Sequence, residues 1–275
     1  MIRDFAAAAN PVLEQRARDW LAAPAAVAEP RPAATILLVR DAAGGPEVFV
    51  QRRVGTMAFA ASTYVYPGGA VEPGDADPRL PWAGPSVQEW GRRLDTDPGT
   101  ARGLVAAAVR EAFEECGVLL AGERPGSGAV GAPAGSAGAL REDLVGRRRT
   151  LTGVLAEHRL TLRSDLLRYK AHWVTPEFEP RRYDTRFLAA GVPQGQHPDG
   201  ETTEADLVRW VRPQVLLDEA ARGEALMLPP TVVTLEVLAS HASVGSYLAE
   251  DPVVVRVLPE LVRTDAGYVV RSELG

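Results

Sequence analysis

The 275-residue sequence predicts an α/β fold in which a mixed sheet lies between layers of helices. Short apolar runs of strand length stand on both sides of one central helix, and a further helix follows the later strands. This order of strands and helices is typical of a layered α/β domain. An apolar fraction of 46% is sufficient for the buried core that such a domain requires.

The first part of the chain predicts one helix and a hairpin. Residues 11–22 have the amphipathic spacing of an N-terminal helix, and a Pro/Ala-rich linker follows them. The apolar run from Ala33 to Arg40 and the segment from Glu47 to Arg52 predict two strands. The turn-forming residues between them, Asp41 to Pro46, favour a hairpin with a longer loop.

The central helix is predicted to begin at the N-cap residue Thr100 and to stop at Gly117. Before it, residues 76–99 form an insertion rich in Pro, Asp and Gly, in which Ser86 to Leu94 predict a short helix. We expect this insertion, which carries two tryptophans, to form a wall or lid beside the functional site. After the helix, residues 121–139 are almost entirely small and predict a mobile loop.

The second half of the chain returns to strands before it ends in helices and a final strand pair. The predicted elements are helical pieces from about 140 to 168, strands at 170–175, 184–191 and 206–212, helices at 213–223 and 229–249, and a strand pair within 253–270. We therefore expect a single domain over residues 1–275, with its core at about 33–240.

Composition narrows the class of protein. The net charge of -6 provides no basic footprint, so nucleic-acid binding is not expected. The single cysteine, Cys116, excludes an internal disulfide framework and fits a reducing compartment. No run approaches the roughly 20 apolar residues that a membrane helix needs. These features favour a cytoplasmic enzyme with a small-molecule substrate.

The segment Arg110-Glu111-Ala112-Phe113-Glu114-Glu115-Cys116-Gly117-Val118 carries the strongest chemical signal. Its three glutamates stand at positions i, i+3 and i+4, so a helix places them on one face. Their mutual repulsion is costly unless a cation lies on that face, and Mg²⁺ prefers such oxygen ligands. Upstream, Tyr66-Pro67-Gly68-Gly69 predicts a tight turn, permitted by glycine, that approaches the same metal or a phosphate.

These residues resemble the Nudix box, which runs Gly, five residues, Glu, seven residues, and then Arg-Glu-apolar-any-Glu-Glu-any-Gly-apolar. Gly69 matches the opening glycine, Asp75 stands where the box has Glu, and residues 110–118 match at every specified position. The 34 residues from 76 to 109 replace the usual seven. A box split in this way resembles the branch of Nudix hydrolases that includes the peroxisomal coenzyme A diphosphatases.

Three further segments resemble that branch: Met57-Ala58-Phe59-Ala60, Trp173-Val174-Thr175-Pro176, and Arg181-Arg182-Tyr183-Asp184-Thr185-Arg186-Phe187. The resemblance implies an α/β/α sandwich with an insertion within the box and extra helices at the N- and C-termini. Of the coenzyme A signature before the Pro-Gly-Gly turn, only Arg53 coincides, because Ala58 and Ser62 replace the Arg and Gly of that signature.

The resemblance also assigns roles to particular residues. It implies that Glu111, Glu114, Glu115 and the carbonyl oxygen of Gly68 bind Mg²⁺ or Mn²⁺, and that Arg110 braces the carboxylates. Asp75 is one methylene shorter than the usual Glu, so either its contact passes to Glu72 or its role is local and structural.

The general base and the phosphate-binding residues are predicted from other parts of the chain. An acid on a later loop often serves as the general base in this family; Glu204 is preferred to Glu201, and Glu111 is the alternative. Arg53, Arg181, Arg182 and Arg186 are the predicted phosphate-binding residues.

The predicted function is hydrolysis of the diphosphate linkage in a nucleoside diphosphate joined to another moiety. Coenzyme A or an acyl derivative is the leading substrate, and ADP-ribose or NADH is the alternative. A module of another class, which senses a nucleotide without cleaving it, is also open. Family members are often homodimers, and the resemblance extends that expectation to this chain.

Overall fold

The computed structural model describes residues 1–6, 11–23, 26–55, 62–123, 130–133, 135–265 and 267–275. Its strands are β1 (Ile2–Ala6), β2 (Arg31–Ala42), β3 (Gly45–Arg53), β4 (Thr63–Val65), β5 (Gly68–Ala70), β6 (Trp82–Ala83), β7 (Ala121–Gly122), β8 (Thr161–Arg163), β9 (Arg168–Val174), β10 (Tyr183–Gly191), β11 (Ala205–Val211), β12 (Leu226–Met227), β13 (Arg256–Val257), β14 (Glu260–Thr264) and β15 (Gly267–Glu273). Its α-helices are α1 (Pro11–Ala22), α2 (Val87–Arg93), α3 (Pro98–Cys116), α4 (Ala137–Val145), α5 (Leu151–Glu157), α6 (Pro213–Ala221), α7 (Pro229–Ala239) and α8 (Val244–Ala249).

The main sheet is mixed, and strand β2 is its organising element. One edge of β2 pairs in parallel with β10, from Arg31 opposite Tyr183 to Val39 opposite Gly191. The other edge is shared by two antiparallel partners, since β3 pairs with residues 39–42 and β5 pairs with residues 33–35. Strand β3 also pairs in antiparallel fashion with β4 and with β11. A gap therefore opens in the sheet where β3 leaves β2 and β5 replaces it.

Two apolar layers cover the faces of this sheet. Because successive side chains of a strand point to opposite faces, Ile36 and Leu38 of β2 pack into the layer that contains helix α3. Leu37 and Val39 pack into the layer that contains residues of α6, α7 and α8. All four side chains are fully buried. The predicted α/β/α sandwich with a mixed sheet is confirmed.

Helix α3 is terminated at both ends by its own sequence. The carboxylate of Asp97 accepts hydrogen bonds from the backbone N–H groups of Gly99 at 2.9 Å and Thr100 at 3.0 Å. Pro98 occupies the first helical turn, where the missing N–H costs nothing. The prediction of Thr100 as N-cap was therefore wrong, because the Asp-Pro pair begins the helix earlier. Gly117 ends it as predicted, with a left-handed φ of 72°.

Three other predictions required correction. The segment 121–139 is not a continuous loop, since Ala121–Gly122 pairs with β8 and α4 begins at Ala137. The predicted helix 229–249 is divided into α7 and α8, because Ser243 caps a new helix with its hydroxyl. The segment predicted as helical from about 140 to 168 contains helices but is interrupted by strand β8 at Thr161–Arg163.

The two chain ends meet in a separate three-stranded sheet of order β1-β15-β14. The predicted C-terminal strand pair is β14 and β15, whereas β1 was not predicted, because its partner β15 is distant in sequence. A second small sheet joins β6, β8 and β7. Within the described ranges, no helix has the combination of length and apolar character needed to cross a bilayer.

Candidate active site

The three glutamates of helix α3 lie beside the gap in the sheet, next to strand β5. Glu111 and Glu115 are buried, and the side chain of Glu114 is only 16% exposed. A Cβ atom on Gly69 would lie 2.2 Å from Oε1 of Glu111, so only glycine allows this carboxylate to approach the strand. The predicted tight turn is in fact a strand at Gly68–Ala70, and glycine is required there for close approach.

Arg110 holds the carboxylates in place through a dense set of hydrogen bonds. Its Nε and Nη2 atoms donate to the two carboxylate oxygens of Asp75, at 2.9 and 3.0 Å. Its Nη1 atom donates to Glu111 at 2.8 Å and to Glu114 at 3.1 Å, and Nη2 also reaches the carbonyl oxygen of Ala70. Asp75 therefore keeps the bracing contact despite its shorter side chain, and it also accepts a hydrogen bond from the backbone N–H of Glu72 at 2.8 Å.

Glu115 is the most deeply enclosed of the three glutamates. Its carboxylate accepts a hydrogen bond from Nε2 of Gln51 and another, at 3.2 Å, from the backbone N–H of Gly68. Gln51 lies on β3 and was not predicted as a site residue. Its signal in the sequence is a single amide at the end of the apolar run Val48-Phe49-Val50. The other amide atom of Gln51, Oε1, is buried without a hydrogen-bond partner among the described residues.

Because the three glutamates are largely buried, their ionised forms are unfavourable and their pKa values are raised. Burial raises the pKa of Glu111 to about 7, against the opposing effect of Arg110. The pKa of Glu114 is also raised by burial. The pKa of Glu115 is raised well above its ordinary value by burial and then by the neighbouring carboxylates of Glu111 and Glu204. A cation placed among these groups would favour their ionised forms.

The donor set fits a hard divalent cation, since it consists of carboxylate and amide oxygens in a buried acidic recess. In the part of the chain that the structure describes, no three acidic, histidine or cysteine side chains are grouped as a formed metal site. The contacts explain this: Glu111 and Glu114 lie against Arg110, while Glu115 lies against Gln51.

A cleft of about 460 Å³ extends from these carboxylates. Its floor comes from alternate residues of two paired strands, because residues 31, 33 and 35 of β2 lie beside residues 183, 185 and 187 of β10. Its acidic end, where it adjoins the carboxylates, is lined by Glu72, Glu111, Glu115 and Glu204, and many of the other lining residues are apolar. The apolar lining consists of Leu13, Val65, Trp173, Val174, Pro176, Phe187, Leu228, Pro229, Pro230, Pro259 and Val270.

An acidic recess adjoins this cleft. It is lined by Glu72, Arg110, Glu111, Glu114, Glu115, Leu144, Val145, Arg147 and residues 200–204. Arg147 was not predicted as a site residue. It follows helix α4, far from the glutamates in sequence, and stands in a run of three arginines that has no distinctive spacing. Only the folded chain brings it to the carboxylates.

Three of the predicted site residues outside the helix, Gly68, Arg53 and Glu204, line the cleft. Arg53 lies at the end of β3, and its Nη2 atom is 3.3 Å from Oε2 of Glu204. The side chain of Glu204 is 47% exposed and lines both the cleft and the acidic recess. Glu201 lines only the recess and is 84% exposed. The structure thus brings Arg53 and Glu204 to the glutamates of α3.

The three arginines of the 181–187 segment lie elsewhere. Arg182 is buried and donates to the carbonyl oxygens of Thr175 and Ala28. Arg186 is buried as well and donates to the carbonyl oxygen of Leu94 at 3.3 Å. Arg181 is exposed and does not line the cleft. The two-residue period of β10 explains the placement of Arg182 and Arg186, because residues 183, 185 and 187 face the cleft.

The insertion packs away from the cleft, so the expectation of a wall or lid was wrong. Trp90 of α2 is fully buried in the apolar layer that contains α3. Trp82 is partly buried, and its indole N–H donates to the carbonyl oxygen of Pro85 at 2.7 Å. None of residues 76–99 lines the cleft. The segment Met57 to Ala60, which supported the resemblance, lies outside the described residues.

Comparisons with known proteins agree with this geometry. The chain is 28% identical over 188 residues to the Caenorhabditis elegans protein named "Putative nudix hydrolase 7". The match covers 68% of this chain and 54% of the relative, so it spans about half of that protein's length. No family model matches the chain.

A solved structure is similar over most of its length. The crystal structure of a NUDIX hydrolase from Alicyclobacillus acidocaldarius has a TM-score of 0.66 and 27% sequence identity to this chain. The match covers 82% of this chain and 98% of that one. The chain therefore has Nudix hydrolase homologues by sequence and by structure, which confirms the fold class and supports the predicted family.

Proposed function

We propose, from these Nudix hydrolase homologues and from the geometry of the cleft, that the chain is a divalent-metal-dependent hydrolase. Its substrate would be a nucleoside diphosphate linked to another moiety, cleaved at the diphosphate. The observation that carries this proposal is the cluster of Glu111, Glu114 and Glu115, largely buried where a large cleft meets an acidic recess. Three carboxylates in such a place are unfavourable unless they serve a cation.

Glu111, Glu114 and Glu115 would hold Mg²⁺ or Mn²⁺, together with the carbonyl oxygen of Gly68. When bound, the ion would neutralise the diphosphate charge and lower the pKa of an attacking water. Arg110 keeps two of the carboxylates at fixed positions through its hydrogen bonds, at 2.8 Å to Glu111 and 3.1 Å to Glu114. Arg110 would thus help to orient these two ligands, as hydrogen-bonding partners of metal ligands commonly do.

Glu204 is the proposed general base. Its carboxylate is half exposed at the junction of the cleft and the recess, where it can accept a proton from a water molecule. Arg53 orients this carboxylate through the 3.3 Å contact and would also bind a phosphate oxygen of the substrate. Glu111 is the alternative base, because burial raises its pKa to about 7.

Coenzyme A or an acyl-coenzyme A is the proposed substrate, with ADP-ribose or NADH as the alternative. The many apolar side chains that line the cleft support a substrate that carries a long, weakly polar group on one side of its diphosphate. The acidic end would then receive the diphosphate.

A substrate screen with a matched pair of variants tests the proposal. Purified protein is incubated with Mg²⁺ or Mn²⁺ and coenzyme A, acetyl-coenzyme A, ADP-ribose, NADH or diadenosine polyphosphates, and products are identified by mass. We expect 4'-phosphopantetheine and 3',5'-ADP from coenzyme A. Glu114→Gln should lose most turnover, because it removes a charged ligand, whereas Glu142→Gln on the exposed face of α4 should retain it. Full activity in Glu114→Gln would overturn the metal assignment.

A further inference from the structure

Arg147 lies where the cleft and the acidic recess meet. It lines both of them, and among the arginines and lysines of the described residues no other does so. Its side chain is 79% exposed, and its Nη2 atom lies 2.7 Å from Oε1 of Glu72. An exposed positive charge therefore stands at the junction of the cleft and the acidic recess.

The two other arginines beside these carboxylates, Arg53 and Arg110, are far less exposed than Arg147, with 17% and 6% of their side chains accessible. Arg110 is buried and donates to Asp75, Glu111 and Glu114. Arg53 contacts Glu204. The ion pair of Arg147 with Glu72 is different, since it faces solvent and such pairs contribute little net free energy. Arg147 can therefore exchange this partner for another anion at little cost.

The backbone of Arg147 explains how its side chain reaches the site. Its φ of 53° lies in the left-handed region, which residues with a Cβ atom rarely adopt. The conformation is held by a hydrogen bond of 2.8 Å from the N–H of Arg147 to the carbonyl oxygen of Leu144, at the end of α4. A left-handed residue directly after a helix is a common helix end, and Arg159 follows α5 in the same way with a φ of 54°. At the end of α4 this geometry places the side chain of Arg147 beside Glu72.

We propose that Arg147 is a substrate-binding residue that leaves Glu72 and donates to the diphosphate oxygens of the bound substrate. This inference rests on the proposed function, because it requires a diphosphate in the acidic end of the cleft. The planar guanidinium presents paired N–H groups that match two phosphate oxygens, and charge-assisted hydrogen bonds of this type are strong. Arg147 would add a cationic contact beside the carboxylates of Glu72 and Glu204, in addition to the one proposed for Arg53.

Binding of α,β-methylene-ADP in the presence of Mg²⁺, measured by isothermal titration calorimetry, tests this role without turnover. We expect Arg147→Gln to weaken binding roughly tenfold to a hundredfold, and Arg147→Lys to weaken it less. Arg148→Gln is the matched control, because Arg148 is also mostly exposed, at 58%, but contacts Asp143 at 2.8 Å and lines neither the cleft nor the recess. Equal affinities in the wild type, Arg147→Gln and Arg148→Gln would overturn the proposal.

Arg147→Gly separates binding from folding. Glycine adopts a left-handed φ without strain, so the variant should unfold at a temperature no lower than that of the wild type while binding as weakly as Arg147→Gln. Two results distinguish this inference from the proposed function. Binding that depends on Arg147 in a wild type without turnover would overturn hydrolysis alone. Turnover that depends on Glu114 but is unchanged in the Arg147 variants would overturn this inference alone.

Discussion

Replacing Asp75 with Asn tests the bracing of the carboxylate cluster most directly. Asp75 and Arg110 are joined by two hydrogen bonds, and their side chains are 2% and 6% exposed. One oxygen of Asp75 accepts from Nε of Arg110, and the other accepts from Nη2 of Arg110 and the N–H of Glu72. Whichever way an asparagine amide is turned, its NH₂ group faces one of these donors.

The expected loss of stability follows from this geometry. Removing one partner of a buried ion pair costs roughly 3–5 kcal/mol. Arg110 would keep Glu111 and Glu114, so we expect a value at the lower end, about 3 kcal/mol. For a protein of this size that corresponds to a fall in Tm of roughly 6–10 °C. Turnover should fall as well, because the guanidinium that positions the carboxylates is no longer held.

The matched control is Asp77→Asn, two residues away. Asp77 pairs with Arg79, whose side chain is 84% exposed, so its loss should change Tm little. Thermal unfolding by circular dichroism and kcat/KM for the substrate found in the screen are measured for both variants. If Asp75→Asn matches Asp77→Asn in both quantities, the pair of Asp75 with Arg110 does not brace the site.

Two further predictions follow from the same cluster. Gly69→Ala should abolish most turnover, since its Cβ would lie 2.2 Å from the Glu111 carboxylate, whereas Gly138→Ala, which has open space around it, should retain turnover in the same assay; an active Gly69→Ala would contradict the close approach. Burial raises the pKa of Glu111 from 4.5 to about 7, so the folded protein binds more protons than the unfolded chain in this range and its stability falls as pH rises. Relative to Glu111→Gln, the metal-free wild type should lose roughly 3 kcal/mol of unfolding free energy between about pH 4.5 and 7.5, measured by urea unfolding in EDTA. A constant difference across that range would refute the assignment.

Local patterns in the sequence were sufficient to predict the chemical centre of the site, which is formed by the three glutamates and Arg110 of helix α3. The three glutamates share a face because helix spacing alone requires it, and Arg110 reaches two of them from the same helix. Gly117 ends that helix in a left-handed backbone conformation, which glycine adopts without strain. The mixed sheet could be predicted from the order of strands and helices, because the rules that govern connections allow few topologies for a given order.

The tertiary structure decided which distant residues join that centre. Gln51 and Arg147 reach it from β3 and from the turn after α4, at sequence separations where local spacing carries no information. Because successive side chains of a strand face opposite sides, Arg182 and Arg186 lie away from the cleft, although this cluster of arginines predicted a phosphate site. The sequence by itself therefore determined which side chains share one face of helix α3. Only packing determined the partners from other elements, because those contacts depend on sheet register and on the free energy of burying whole faces.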